Sequence, residues 1–189
     1  MTNKKSQPFL ADVKKLREQV HARLHERAVS AHLGEAEQTI EILQAVLATE
    51  IACVLRYTMN AVAAADLASE SMKEEFDQHA DEERDHVHQV AERISQLGGK
   101  PDFNPEGLLA RAVPEYAGED TLVGMIRENL AAERIVCEHY RELIRFFADK
   151  DPTTRVMIEE ILVNEEEHAN DAQDLLSLTG QTRAQAHSG

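Results

Sequence analysis

The sequence predicts an all-α fold: a four-helix bundle with a long crossover between its second and third bundle helices and an extra helix at the N-terminus. Three observations carry that prediction. Apolar residues recur in steps of four and three along four segments, the spacing of a core-facing bundle stripe. Proline is absent from Phe9 through Lys100, and most glycines fall at proposed helix ends. A pattern of one Glu, followed about a helical hairpin later by Glu-x-x-His, occurs twice. At 189 residues the chain is long enough to bury a sizeable core and is expected to form one domain.

The first helix is expected over about 9–31, inside an N-terminal extension (1–34) that packs outside the bundle or against another subunit. The second, about 35–67, carries the stripe Ala36, Ile40, Leu43, Leu47, Glu50, Val54, Tyr57 and Ala61. The third, about 71–97, opens on a Ser71/Glu74 capping box and is stopped by Gly98-Gly99 and Pro101. Its stripe is Phe76, His79, Glu83, His86, Val90, Ile94 and Leu97. Between Gly98 and Glu119, Pro101, Pro105, Gly107, Pro114 and Gly118 mark a loop long enough to carry the chain to the start of a parallel helix. The fourth helix, about 120–149, presents Leu122, Ile126, Leu130, Glu133, Val136, Tyr140, Ile144 and Phe147. The fifth, about 152–178, begins where Asp151 can cap and Pro152 suits the first turn, and presents Ile158, Ile161, Glu165, His168, Ala172 and Leu175. The bundle domain spans 35–180, with a short tail over 181–189.

Each bundle stripe therefore places an acid where an apolar residue belongs. Glu50 and Glu83 lie 33 residues apart around a turn near Ala68–Ser71, and Glu133 and Glu165 lie 32 apart around Asp149–Pro152. Antiparallel pairs closing at those turns bring each couple to nearly one height. His86 and His168 share a face with Glu83 and Glu165 by their i,i+3 spacing. Four buried carboxylates would cost several kcal/mol each if left charged and unpaired. Two divalent cations bring the cluster to formal neutrality, while protonated, mutually hydrogen-bonded acids describe a metal-free state. Glu50, Glu83, His86, Glu133, Glu165 and His168 are thus the candidate metal ligands and catalytic residues. A third Glu-x-x-His, Glu18 and His21 with His25 beyond, has no matching Glu and sits among Arg17, Arg23, Glu26 and Arg27, as on a solvated face. Asp85 and His88 fall off the apolar stripe.

Tyr57 and Tyr140 each follow the lone Glu of their half by seven residues and are expected as hydrogen-bond partners of bridging carboxylates, or as one-electron donors. Cys53 and Cys137 sit one turn from a candidate ligand, as buried small hydrophobes or as a redox pair. Met59, Met72, Met125 and Met157 fit apolar packing. The net charge of −15 disfavours nucleic acid and favours cations. Residues 1–8 lack an apolar signal core and no uncharged apolar run reaches the ~18 residues of a membrane span, so a cytoplasmic protein is expected.

Glu50, Glu83-Arg84-Asp85-His86, Glu133 and Glu165-Glu166-Glu167-His168, with Tyr57 and the run Ala91-Glu92-Arg93-Ile94, Leu97, Gly99, Pro101, resemble bacterioferritin in the ferritin-like superfamily over roughly 35–180. That resemblance implies a ferritin-like bundle with Glu83 and Glu165 bridging two irons, Glu50 with His86 completing one coordination sphere and Glu133 with His168 the other. Arg84 replaces the family's haem-ligating Met, which argues against haem. The long N-terminal addition, the two cysteines and the lack of a fifth short bundle helix resemble the Dps-like branch and imply a 12-subunit shell over a 24-subunit one.

Glu and His donors suit iron or manganese. The expected activity is a ferroxidase that turns Fe(II) to Fe(III) with O2 or hydrogen peroxide, with storage in a homo-oligomeric shell implied by the resemblance. The alternatives are a di-iron or di-manganese peroxidase or catalase-like protein that stores no iron, and a non-enzymatic helical assembly or DNA-protection module.

Overall fold

A computed structural model describes residues 13–22, 33–66, 69–115 and 119–186. Six helices form among them and no strand: α1 (Val13–Ala22), α2 (Leu33–Asp66), α3 (Glu70–Gln96), α4 (Leu108–Arg111), α5 (Leu122–Phe147) and α6 (Pro152–Ala186). The all-α bundle expected from the periodicity is what forms. Helices α2 and α3 make one hairpin, and α5 and α6 the other.

The crossover is placed by hydrogen bonds to α2. Gln44 donates to the Lys100 carbonyl (2.8 Å) and accepts from the Asp102 amide (3.0 Å), Thr49 Oγ1 accepts from the Val113 amide (3.0 Å), and Arg56 donates to the Glu115 carbonyl (2.9 Å). Numbers rise together along both segments, so the loop runs beside α2 and returns the chain to the end where α3 began. Helix α5 thus starts parallel to α3 and antiparallel to α2, as the loop length predicted. The one-turn α4 lies within this crossover against α2.

Helix ends follow local chemistry, with two departures from the sequence-based bounds. Asp151 accepts from the Thr154 amide (3.0 Å) and opens α6 ahead of Pro152, as expected. Its two oxygens also take Arg93 of α3 (2.8 and 3.0 Å), while Arg93 Nε donates to Thr154 (2.8 Å), tying the α3 end to the α6 start. Gly98 adopts φ 91°, the left-handed conformation that ends α3. A Cβ on Gly99 would lie 2.9 Å from Ile94 Cγ2 and 3.0 Å from Ile40 Cγ2, so the stop also lets the chain approach α2 closely. The Ser71/Glu74 capping box does not form. Helix α3 begins two residues earlier, with Ser69 at the cap position and its carbonyl accepting from the Lys73 amide (3.0 Å). At the other end, α6 continues through Ala186 and takes in most of the expected tail. Residues 23–32 lie outside the described part, and with them His25 and the end of the expected first helix; Glu18 and His21 on α1 are exposed.

The core divides into two apolar clusters. One gathers Leu43, Leu47, Val90, Ile94, Phe147 and Ile161, and the other Ala61, Met72, Phe76, Ile126, Leu130 and Ala172. Within α2, Ala36–Ala65 contains an 18-residue window with a mean hydropathy of 1.4 and is long and apolar enough to cross a membrane, a property missed by counting only uncharged runs. Half of that window is buried inside the bundle, because α2 feeds both clusters.

Candidate metal centre

Between the two apolar clusters lies a layer of acid. Glu50 from α2, Glu83 from α3, Glu133 from α5 and Glu165 from α6 are each fully buried, and His86 and His168 are nearly so. The stripes put these side chains inside, since each takes a position that its helix turns inward. Their ligand-capable atoms fall into two sets, each with all atoms within 4.8 Å of one another: Glu50, Glu83, His86 and Glu165, and Glu83, Glu133, Glu165 and His168. Glu83 and Glu165 belong to both.

Polar partners flank this layer. Tyr57 donates to Glu133 Oε1 (2.7 Å), and Tyr140 donates to Glu50 Oε1. His168 Nε2 lies 2.7 Å from Glu82 Oε2, and His86 Nε2 lies 3.4 Å from Asn164 Oδ1. A proton on each Nε2 satisfies those contacts and leaves the Nδ1 lone pair facing inward. Inside, Glu50 Oε2, both oxygens of Glu83, Glu133 Oε2, both oxygens of Glu165, His86 Nδ1 and His168 Nδ1 are buried without a hydrogen-bond partner. The imidazole Nδ1 atoms stand 3.2–3.8 Å from the carboxylates, and those contacts lack hydrogen-bond geometry. Orphaned polar atoms are uncommon in protein interiors. Eight on six convergent residues make a donor set with a cation-sized demand in its middle.

Comparison with known families agrees with this geometry. The family model described as the ferritin-like domain matches residues 40–181. The chain belongs to the ferritin-like family. The "DNA protection during starvation protein" of Pyrococcus furiosus is 29% identical over 81% of this chain and 85% of its own length. The "3-demethoxyubiquinol 3-hydroxylase" of Legionella pneumophila is 31% identical over 54% of this chain, which spans about half (49%) of that relative's length. Among solved structures, the dodecameric thioferritin of Bacteroides fragilis, a bacterioferritin-related protein, superimposes with a TM-score of 0.74 at 27% identity, covering 89% of this chain and 98% of that one.

Electrostatics in this ferritin-like protein follow from crowding acids in a dry layer. Burial, reinforced by Glu83, pushes Glu50 well above the usual carboxylate range, and burial with Glu165 does the same to Glu133. Burial, with Glu83 and Glu50, raises Glu165 to about 8. Burial opposes charge on Glu83 too, yet His168, His86 and Glu50 hold it below its ordinary value. Burial likewise disfavours the imidazolium of His168, but Glu83 outweighs it and raises that ring to about 9. Without metal, therefore, protons do the neutralising.

The tyrosines depart from expectation in one respect. Their partners are Glu133 and Glu50, which each belong to one set, and not the shared Glu83 and Glu165. The reason is the antiparallel α2–α5 register, which sets each tyrosine against the acid of the opposite half. Cys53 and Cys137 are both free and buried. Burial and the nearby Glu83 push the Cys53 thiol up, and burial with Glu165 raises Cys137 to about 12, so both are protonated thiols in a metal-free site. That state fits packing better than redox exchange.

Sequence reasoning gave no role to His79, Asn164 or the buried Asn60–Asn129 pair (2.9 Å). Only His79 left a signal, an imidazole on the α3 stripe one turn before Glu83. The others appear once helices face each other.

Proposed function

We propose that this protein is a ferroxidase, with Glu50, Glu83, His86, Glu133, Glu165 and His168 holding two iron ions and Fe(II) as the substrate to be oxidised and stored. The observation that carries this is the set of eight orphaned buried donor atoms shared between two overlapping four-residue groups. Oxygen and imidazole donors fit iron, and manganese by the same chemistry. Glu83 and Glu165, which belong to both groups, would serve both ions, Glu50 with His86 would serve one, and Glu133 with His168 the other. Two bound irons would supply the two electrons that hydrogen peroxide or O2 accepts. Tyr57, Tyr140, Glu82 and Asn164 hold the ligands in orientation, and the apolar clusters above and below keep water out.

Storage in a 12-subunit homo-oligomeric shell is supported by the likeness to the dodecameric thioferritin. Names that mention DNA, among them the "Nutrient stress-induced DNA-binding protein" of Nostoc sp. (30% identical over 77% of this chain and 78% of its own length), favour a DNA-protecting role as the second reading. A net charge of −15 opposes it, because DNA binding rests on neutralising phosphates.

Aerobic Fe(II) titration followed at the ferric absorbance tests the first reading. A fast phase near two irons per subunit followed by slow uptake of many more is expected. Saturation at two with strong peroxide turnover would replace it with a peroxidase or catalase-like activity. Indifference to metal, with a gel shift of duplex DNA, would favour the DNA module. Light scattering on the eluted particle separates 12 subunits from 24.

A further inference from the structure

His79 is a buried ionisable side chain of the α3–α6 seam that the proposed metal centre does not use. Its side chain is only 4% exposed, and its Nδ1 has no hydrogen-bond partner. The ring stacks on His168, with centroids 4.1 Å apart and planes at 28°. Its Nε2 faces two carboxylates, Asp171 at 3.5 Å on α6 and Glu75 at 3.7 Å one turn earlier on α3. The ligand-capable atoms of Glu75, His79 and Asp171 lie within 4.8 Å of one another, and so do those of His79, Glu82 and His168.

These groups form a chain of sets joined by shared imidazoles. The outer set opens to solvent through Glu75 (36% exposed) and Asp171 (48%), while its imidazole is buried. His79 is common to the outer and the middle set. His168 is common to the middle set and the centre. Two carboxylates and one imidazole suit a divalent first-row cation, and the open carboxylate edge leaves room for its remaining water.

We propose that Glu75, His79 and Asp171 form a separate divalent-cation site on the α3–α6 seam, from which Fe(II) passes by way of Glu82 and His168 to the centre. Binding at this outer site stands on its own residues; the transfer step rests on the ferroxidase reading. An ordinary i,i+4 Glu–His pair on a solvated helix face would not bury its imidazole against a second imidazole and leave its Nδ1 without a hydrogen-bond partner. The solvent-facing acids also lie on an acidic protein, whose field concentrates cations at such an edge.

The test compares the full-length protein with the E75Q/D171N double variant, in which both changes are conservative and lie at the surface. Crystals grown with Mn(II) should show anomalous density among Glu75, His79 and Asp171 in addition to density at the centre, and the variant should lose only the former. At limiting Fe(II), the fast oxidation rate in the variant should fall about 10-fold or more, as removal of supporting ligands does at other metal sites, with its amplitude unchanged. No density at the outer triad of the parent protein, or a variant that oxidises at the parent rate, overturns the proposal. Density at the triad with none among Glu50, Glu83, Glu133 and Glu165 would instead retire the ferroxidase centre and leave the outer site as a binding site alone.

Discussion

Glu165→Gln should make the metal-free protein more stable and the metal-loaded protein less so. Glu165 is fully buried, belongs to both donor sets, and has neither oxygen hydrogen-bonded. Gln has nearly the same shape, so no cavity opens. The carboxyl is raised from 4.5 to about 8 by burial first and by Glu83 and Glu50 next. A carboxyl raised on folding costs nothing below its unfolded value, since it is protonated in both states. Between 4.5 and about 8 the folded state holds the extra proton, so stability falls as pH rises, and above 8 the cost is complete. At pH 9 the neutral amide should therefore stabilise the metal-free fold by about 1–4 kcal/mol, the range seen when buried ionic groups give way to neutral side chains of similar volume. At pH 5 the difference should nearly vanish. With Mn(II) at a hundred times its dissociation constant, the parent protein gains about 2.7 kcal/mol from binding one ion, and the variant should lose most of that gain. Thermal melts at one protomer concentration, with chelator and then with Mn(II), read both effects. A variant less stable than the parent at pH 9 without metal, or equally stabilised by Mn(II), would refute the reasoning.

Metal binding should release protons near neutral pH, because Glu165 (about 8) and His168 (about 9) hold them in the empty site; calorimetry in buffers of differing ionisation enthalpy measures the number. His168 contributes in the same direction to the melt: its ring is raised from 6.5 to about 9, so its stabilisation is complete below 6.5 and gone above 9, and the metal-free protein should melt at lower temperature as pH climbs through that window. Tyr140→Phe or Tyr57→Phe frees one oxygen of Glu50 or Glu133 and should weaken Mn(II) binding roughly 10-fold with the helical content intact, as seen by titration calorimetry with circular dichroism. Asp151→Ala removes the α6 cap and strands the buried Arg93 guanidinium, and denaturant melts should report a loss of about 3 kcal/mol while metal stoichiometry is unchanged.

Much of the fold was legible before any coordinates. The 3.5-residue stripes on α2, α3, α5 and α6 marked which face turns inward, and a stripe that buries Leu43, Ile94 or Ile161 must also bury the Glu set in line with them. By the same rule Glu83 and Glu165 are buried, while the neighbouring Glu82 is half-buried and Glu166 and Glu167 are exposed. Helix starts were less legible, since Ser69 and Ser71 carry the same side chain and only the closing geometry at the Ala64 carbonyl, which accepts from the Ser69 amide (3.1 Å), selects the earlier one.

By itself the sequence determined the types of the candidate ligands, their facing and their pairing within each hairpin, because those depend on helical period and turn position, both local properties. Tertiary structure alone decided what happens between hairpins. The antiparallel packing of α2 against α5 crossed each tyrosine to the acid of the other half, gave Glu50 to one donor set and Glu133 to the other, and left Glu83 and Glu165 common to both. It also stacked His79 on His168 beside Asp171 of another helix. Contacts of that kind join residues about 75 to 90 positions apart, and no periodicity in a single helix encodes which height of a second helix will stand opposite.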